Sequence, residues 1–313
     1  MLSNFIVCLG AVLPMFILMV IGICVRRGKL LTDGEVKKLN HMVFVVFFPT
    51  MMFENLYGAD IASVISFKLI LFGIACVMGI YFVSMFIVLK VEKSPASRGA
   101  MIQAIYRSNF VIMGLPVAMN IYGKGNLAVT AMMVAIIVPL YNVLAVITLE
   151  TFRKGKLNIW HIVKGVITNP LILGAAAGIL AVVLHIKLPG IIESVISDMS
   201  GVATPMALII LGASFNFKSL GRVRRDLIIC VTGRLVAVPG VCLTIAALMG
   251  FRGIAFVTLV AMLAAPTAVS SFTMAQDMGS DGELAGNCVI FSSALACFTM
   301  FFWLFLFKSL GMF

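Results

Sequence analysis

Residues 99–121 read GAMIQAIYRSNFVIMGLPVAMNI, an apolar run with Arg107, Ser108 and Asn109 near its middle and Gly114-Leu115-Pro116 just beyond. About 20 predominantly apolar residues cross a hydrocarbon core as a helix. Proline lacks an N–H and its ring clashes with the preceding turn, so the run predicts a helix break just before Pro116, eased by Gly114. A second run, 253–276, carries Pro266 near its middle, followed by Thr267, Ser270 and Ser271. Each break leaves free N–H groups at the start of a second half-helix, which are costly in hydrocarbon unless partnered. Each such start carries roughly half a positive charge. Two of them meeting at the midplane form an electropositive pocket suited to a carboxylate, with Asn109, Thr267, Ser270 and Ser271 adding neutral hydrogen bonds. The competing reading of either proline alone is a plain kink. Paired across two corresponding runs, they point to a site.

Working outward, similar apolar runs fill the chain. Of its 313 residues 62% are hydrophobic and 11% charged, with a mean hydropathy of +1.15, whereas a soluble domain carries about 25% charged residues. Ten spans are predicted at 4–25, 40–57, 67–89, 99–121, 127–150, 170–185, 191–216, 226–249, 253–276 and 284–307. The fold class is therefore an all-α membrane protein. The run from Phe5 to Val25 reads as the first span and not as a cleaved signal segment. The net charge of +11 lies in short clusters between spans, with no basic tail that would suit nucleic acid. Loops after spans 1, 3, 5 and 7 and their counterpart after span 9 hold 16 Lys and Arg, against 5 on the opposite side. By the positive-inside bias the richer side is cytoplasmic, which places both termini extracytoplasmic at a plasma membrane. The loop after span 9 departs from this, with Asp277, Asp281 and Glu283 and no Lys or Arg.

The halves repeat weakly. Pro14 and Gly22 match Pro170 and Gly178, and Pro49 matches Pro205, all 156 residues apart; Pro116 matches Pro266 at 150. Ordered matches at nearly constant offset argue for a duplication. Five spans per half put the halves upside down relative to each other, an inverted repeat of the kind many carriers use. The division is 1–152 for the first repeat, 153–169 for a cytoplasmic connecting loop with Arg153, Lys154, Lys156, Trp160, His161 and Lys164, and 170–313 for the second repeat.

Further candidates surround the two breaks. Span 5 holds Pro139, Tyr141 and Asn142, the asparagine either lining a pathway or making an interhelical hydrogen bond. Pro49 with Thr50, and Thr204 with Pro205, either border the cavity or shape a scaffold. Glu54, Glu150, Arg107 and Arg234 read as interfacial, the arginines by snorkelling from two turns inside a span. Arg107, two residues from Asn109, is the best placed to attract an anion. The absence of a midplane carboxylate argues against a dedicated proton relay or charged sodium site. Gly174 to Gly178 form a small-residue stripe for a dimer interface or an internal contact. The seven cysteines, Cys8 among them, fall inside apolar runs without metal spacing and read as packing residues, and His41, His161 and His185 sit at span edges. No phosphate loop, metal cluster or nucleophile elbow is present, so neither an enzyme nor an ATP-driven pump is indicated, and no cofactor or metal is expected.

Asn109 with Gly114-Leu115-Pro116 and Tyr122-Gly123, together with Ala265-Pro266-Thr267 and Ser270-Ser271, resemble the auxin efflux carrier family over the whole chain. This family includes bacterial permeases for malonate and related organic anions and the plant auxin exporters. The resemblance implies ten helices divided into scaffold and transport parts, with helices 4 and 9 crossing at their proline breaks to hold substrate. It places Asn109, Pro116 and Pro266 in that role, and it implies dimers through the scaffold helices. The family is similar to the bile-acid sodium symporters. The short loop between spans 5 and 6 departs from the plant pattern and favours a prokaryotic permease. The expected function is secondary transport of small mono- or dicarboxylates, coupled to H+ or Na+ or uncoupled. A sodium symporter of the bile-acid type and a non-transporting membrane sensor are the alternatives.

Overall fold

The computed structural model describes residues 2–57, 66–122, 128–153, 159–215 and 220–313; the side chains of residues 2–12, 115, 159, 161 and 220–223 lie outside that description. Gly123, Lys154 and Lys156, and the side chains of Cys8, Leu115 and His161, therefore fall outside the described residues. Among the described residues the fold is all-helical, with no strand beyond one isolated β-bridge. The helices are α1 (Leu2–Arg27), α2 (Asp33–Met42), α3 (Phe48–Tyr57), α4 (Phe67–Val91), α5 (Pro95–Tyr106), α6 (Leu115–Tyr122), α7 (Ala128–Thr151), α8 (Ile159–Ile167), α9 (Pro170–Val183), α10 (Gly190–Ser214), α11 (Leu220–Thr232), α12 (Val238–Leu248), α13 (Gly253–Leu263), α14 (Val269–Asp277) and α15 (Gly282–Ser309). Single π turns, Val43–Phe47, Phe110–Gly114 and Gly233–Ala237, join α2 to α3, lead into α6, and join α11 to α12. Among the described residues, five segments, 67–91, 128–151, 190–214, 224–248 and 282–309, are long and apolar enough to cross a membrane. Shorter apolar helices occupy 110–122, 170–183 and 253–263. Many large apolar side chains face outward, such as Phe67, Leu71, Ile191 and Leu248, as expected where lipid is the solvent.

Local chemistry sets the helix starts. Thr32 and Glu35 close a capping box on α2, and hydrogen bonds from the Thr32 side chain and backbone hold the Glu35 carboxyl below its ordinary range. Ser94 and Asn169 cap α5 and α9, each with proline as the first helical residue, where a missing N–H costs nothing. The segment expected as a connecting loop contains α8. Asn169-Pro170 ends one helix and starts the next, and that punctuation hid the helical turn pattern upstream of it.

Close helix contacts run through glycine. A Cβ on Gly22 in α1 would lie 2.0 Å from the Ile209 carbonyl oxygen of α10, and one on Gly178 in α9 would lie 2.8 Å from that of Phe53 in α3. Gly174 meets the Pro49 carbonyl and Gly212 that of Met19 in the same manner. The small-residue stripe of α9 is thus engaged inside the molecule, against α3.

Candidate functional site

Two helices unwind where they meet. The first does so at Arg107–Asn109, between α5 and the π turn, and the second at 264–268, between α13 and α14. The break in residues 99–121 is therefore upstream of the position predicted from Pro116. Pro116 sits in the first turn of α6, where proline is tolerated, and the preceding π turn loosens the backbone its ring would strike. Pro266 does lie inside its break. The proline match between 116 and 266 is consequently not the structural correspondence.

The unwound segments pair with each other. Ser108 and Thr267 form an antiparallel bridge, in which the Asn109 N–H donates to the Pro266 carbonyl at 2.7 Å and the Ala268 N–H to that of Arg107 at 3.2 Å. The Thr267 N–H donates to Ser292 Oγ of α15 at 3.1 Å, and its hydroxyl donates to the Ala104 carbonyl at 2.9 Å. Irregular backbone in a bilayer survives only when its polar groups are satisfied this way. A proline scan sees the local break but not the long-range partner that fixes its register.

Beside the bridge is a cavity of about 50 Å³ whose polar lining residues are Arg107, Ser108, Asn109, Tyr141, Asn142, Thr204 and Ser270. Residues at the start of both second half-helices, Phe110 to Ile112 and Val269 to Ser270, line it as well, so it lies close to the positive ends of two helix dipoles. Arg107 is buried, with its guanidinium bonded to Gln103 Oε1 at 3.1 Å, Met274 Sδ at 2.8 Å and Asn142 Oδ1. None of these is anionic. Among the described residues the ion pairs join Arg26 to Asp33, His41 to Asp277 and Arg153 to Glu150, and none reaches Arg107. Asn109 is buried with its Nδ2 unpartnered among the described residues. Tyr141 Oη and Ser108 Oγ are 3.2 Å apart, and Asn142 Nδ2 donates to Met52 Sδ at 3.0 Å.

The remaining predicted residues lie off this wall. Gly114 packs against the Ala261 backbone. Pro266 and Thr267 build the bridge, and Ser271 is buried beside it. Thr50 donates to the Val46 carbonyl at 2.8 Å, Pro49 packs on Gly174, and Pro116 and Pro205 are partly buried helix residues.

Both arginines expected at the interface are buried. Arg234, 0% exposed, has its head at the crossing itself. Its Nε–H donates to the Ala265 carbonyl at 2.9 Å and Nη1 to those of Ile105 and Tyr106, both at 3.2 Å. Nη2 donates to the carbonyls of Met262, at 3.3 Å, and Leu263.

A family model described as membrane transport protein matches residues 7–161 and 155–304. The chain belongs to this membrane transport protein family, the auxin efflux carrier family. An uncharacterized transporter of Methanothermobacter thermautotrophicus is 24% identical over 297 residues, 93% of this chain and 96% of the relative. One of Methanocaldococcus jannaschii is 23% identical over 308 residues, 94% and 97% of the two. The protein is thus a multi-pass membrane transporter, and its family is not one of enzymes.

Proposed function

We propose that this transporter is a secondary carrier of small organic anions, mono- or dicarboxylates, bound in the cavity beside the crossed segments. The observation that carries the reading is Arg107: a buried cation, with no carboxylate partner among the described residues, on the wall of a small cavity that is otherwise largely apolar. A buried charge is costly unless paired, and an anionic substrate supplies the missing charge. Asn109, whose Nδ2 has no partner among the described residues, lines the same space, as do residues at the two half-helix starts. The volume accommodates about four water-sized groups, comparable to the heavy atoms of a small carboxylate; larger anions require the wall formed by Met51, Met52 and Val138 to give.

The architecture we propose is ten crossing helices in two inverted repeats, 1–152 and 170–313, joined by 153–169, with both termini extracytoplasmic at the plasma membrane. Its support is a reciprocal contact: Gly22 meets Ile209 and Gly178 meets Phe53, and both members of the first pair are 156 residues from their counterparts in the second. The crossed unit moves against the scaffold to expose the cavity to either side.

Thermal-shift titration of purified protein with malonate, succinate and acetate tests the site. The parent is stabilised by at least one of these anions, and Arg107→Gln and Asn109→Ala each weaken its apparent affinity about tenfold or more, the scale of a charge-assisted hydrogen bond. Arg107→Lys, which keeps the charge, loses less. A folded Arg107→Gln protein that binds and transports like the parent overturns the assignment.

A further inference from the structure

Arg234 is not explained by substrate binding, because it is not among the residues lining the cavity described above and its head lies among main-chain carbonyls. Ile105 and Tyr106 are the last residues of α5, and Met262 and Leu263 the last of α13. Each helix C-terminus carries roughly half a negative charge, so two converging ends present about one unit of negative charge, which the guanidinium neutralises. It has five N–H donors, and five carbonyls receive hydrogen bonds from it. Carbonyls at the unwound ends of broken helices are also how carriers hold a coupling Na+.

We propose that Arg234 is a tethered substitute for a coupling metal cation. The carbonyl cage at the crossing is filled permanently by the protein's own guanidinium, so the crossing assembles without Na+ and the carrier takes no alkali cation there. The π turn Gly233–Ala237 delivers this side chain, and Trp303 Nε1–H anchors that turn by donating to the Leu235 carbonyl at 2.9 Å. The proposal deepens the carrier reading by defining its ion requirement, and it rests on that reading for its meaning in transport.

The test uses Arg234→Ala, Arg234→Lys and the parent, melted in choline chloride with or without 10 mM (roughly) Na+, K+, Li+ or guanidinium, at constant ionic strength. The parent melts at the same temperature in every alkali salt. Arg234→Ala melts on the order of 10 °C lower, as for a broken buried charge network, and millimolar guanidinium recovers a large part of that loss. Arg234→Lys, with three donors for five carbonyls, falls between the two. Stabilisation of the parent by Na+ over choline overturns the proposal, as does an Arg234→Ala protein indifferent to guanidinium. If the alanine variant does not fold, the parent's Na+ response and guanidinium rescue of Arg234→Lys decide the matter. No arm contains a carboxylate, so a different substrate class leaves this test intact.

Discussion

At the scale of single residues, two arginines of similar sequence context have separate tasks. Arg107 presents an uncompensated charge to a cavity, while Arg234 is consumed by backbone carbonyls. The turn that holds Arg234 has its own defect to repair. Pro239 has no N–H to give the carbonyl four residues back, that of Leu235, and Trp303 supplies the donor instead. Trp303→Phe keeps an aromatic ring, though a smaller one, and removes the donor, leaving a largely buried acceptor without this partner, and costs about 1–2 kcal/mol in thermal melts beyond the packing lost with the smaller ring. The same change in a Pro239→Ala background, where an N–H is restored, costs clearly less; equal losses in both backgrounds exclude this role for the indole. Sequence alone made Asn109, Asn142 and Arg107 legible, because polar groups deep in apolar runs need partners. It misplaced both arginines at the interface. An arginine two turns inside a span reads as snorkelling until the long-range carbonyls around it are known, and no local pattern announces those.

At the scale of elements, helix positions followed closely from apolar run length, since helices occupy every predicted span to within a few residues, apart from the longer starts of α2 and α11. The breaks were less legible. That at Pro266 is local chemistry, whereas that at Arg107–Asn109 is made by pairing with a segment far away in the chain. The π turns were invisible, having no residue signature beyond a proline downstream. Glycine positions divide by what they touch. A Cβ at Gly212 would stand 2.0 Å from the Met19 carbonyl oxygen, while at Gly201 in the same helix it meets nothing within 4 Å. Gly212→Ala therefore forces α1 and α10 apart and destabilises by about 3 kcal/mol or more. Gly201→Ala stabilises by roughly 0.5–1 kcal/mol through helix propensity. Detergent melting of the two variants checks the contrast, and equal shifts of the same sign contradict the close α1–α10 contact.

At the scale of the whole molecule, the distribution of charge bears on orientation in the membrane. The side with 16 Lys and Arg includes the turn from α4 to α5, where Arg98 Nε donates to the Glu92 carbonyl at 2.7 Å. In that turn backbone N–H groups of Ser94 and Lys93 hold the Glu92 carboxyl below its ordinary range. Positive-inside bias keeps this turn cytoplasmic. On the proposed architecture, an odd number of crossings in each inverted half returns the chain end to the side it started from, so both ends are expected to be extracytoplasmic. Alkaline phosphatase fused after Phe313 is active in cells, and green fluorescent protein fused there is dark. Phosphatase inserted at Lys93 is inactive, and green fluorescent protein inserted there fluoresces. The opposite pattern at Phe313 alone removes one crossing from the second half and with it the inverted repeat. Inversion of both sites leaves the repeat standing and reverses only the orientation, because the reciprocal glycine contacts of α1 with α10 and α9 with α3 do not depend on which side is the cytoplasm.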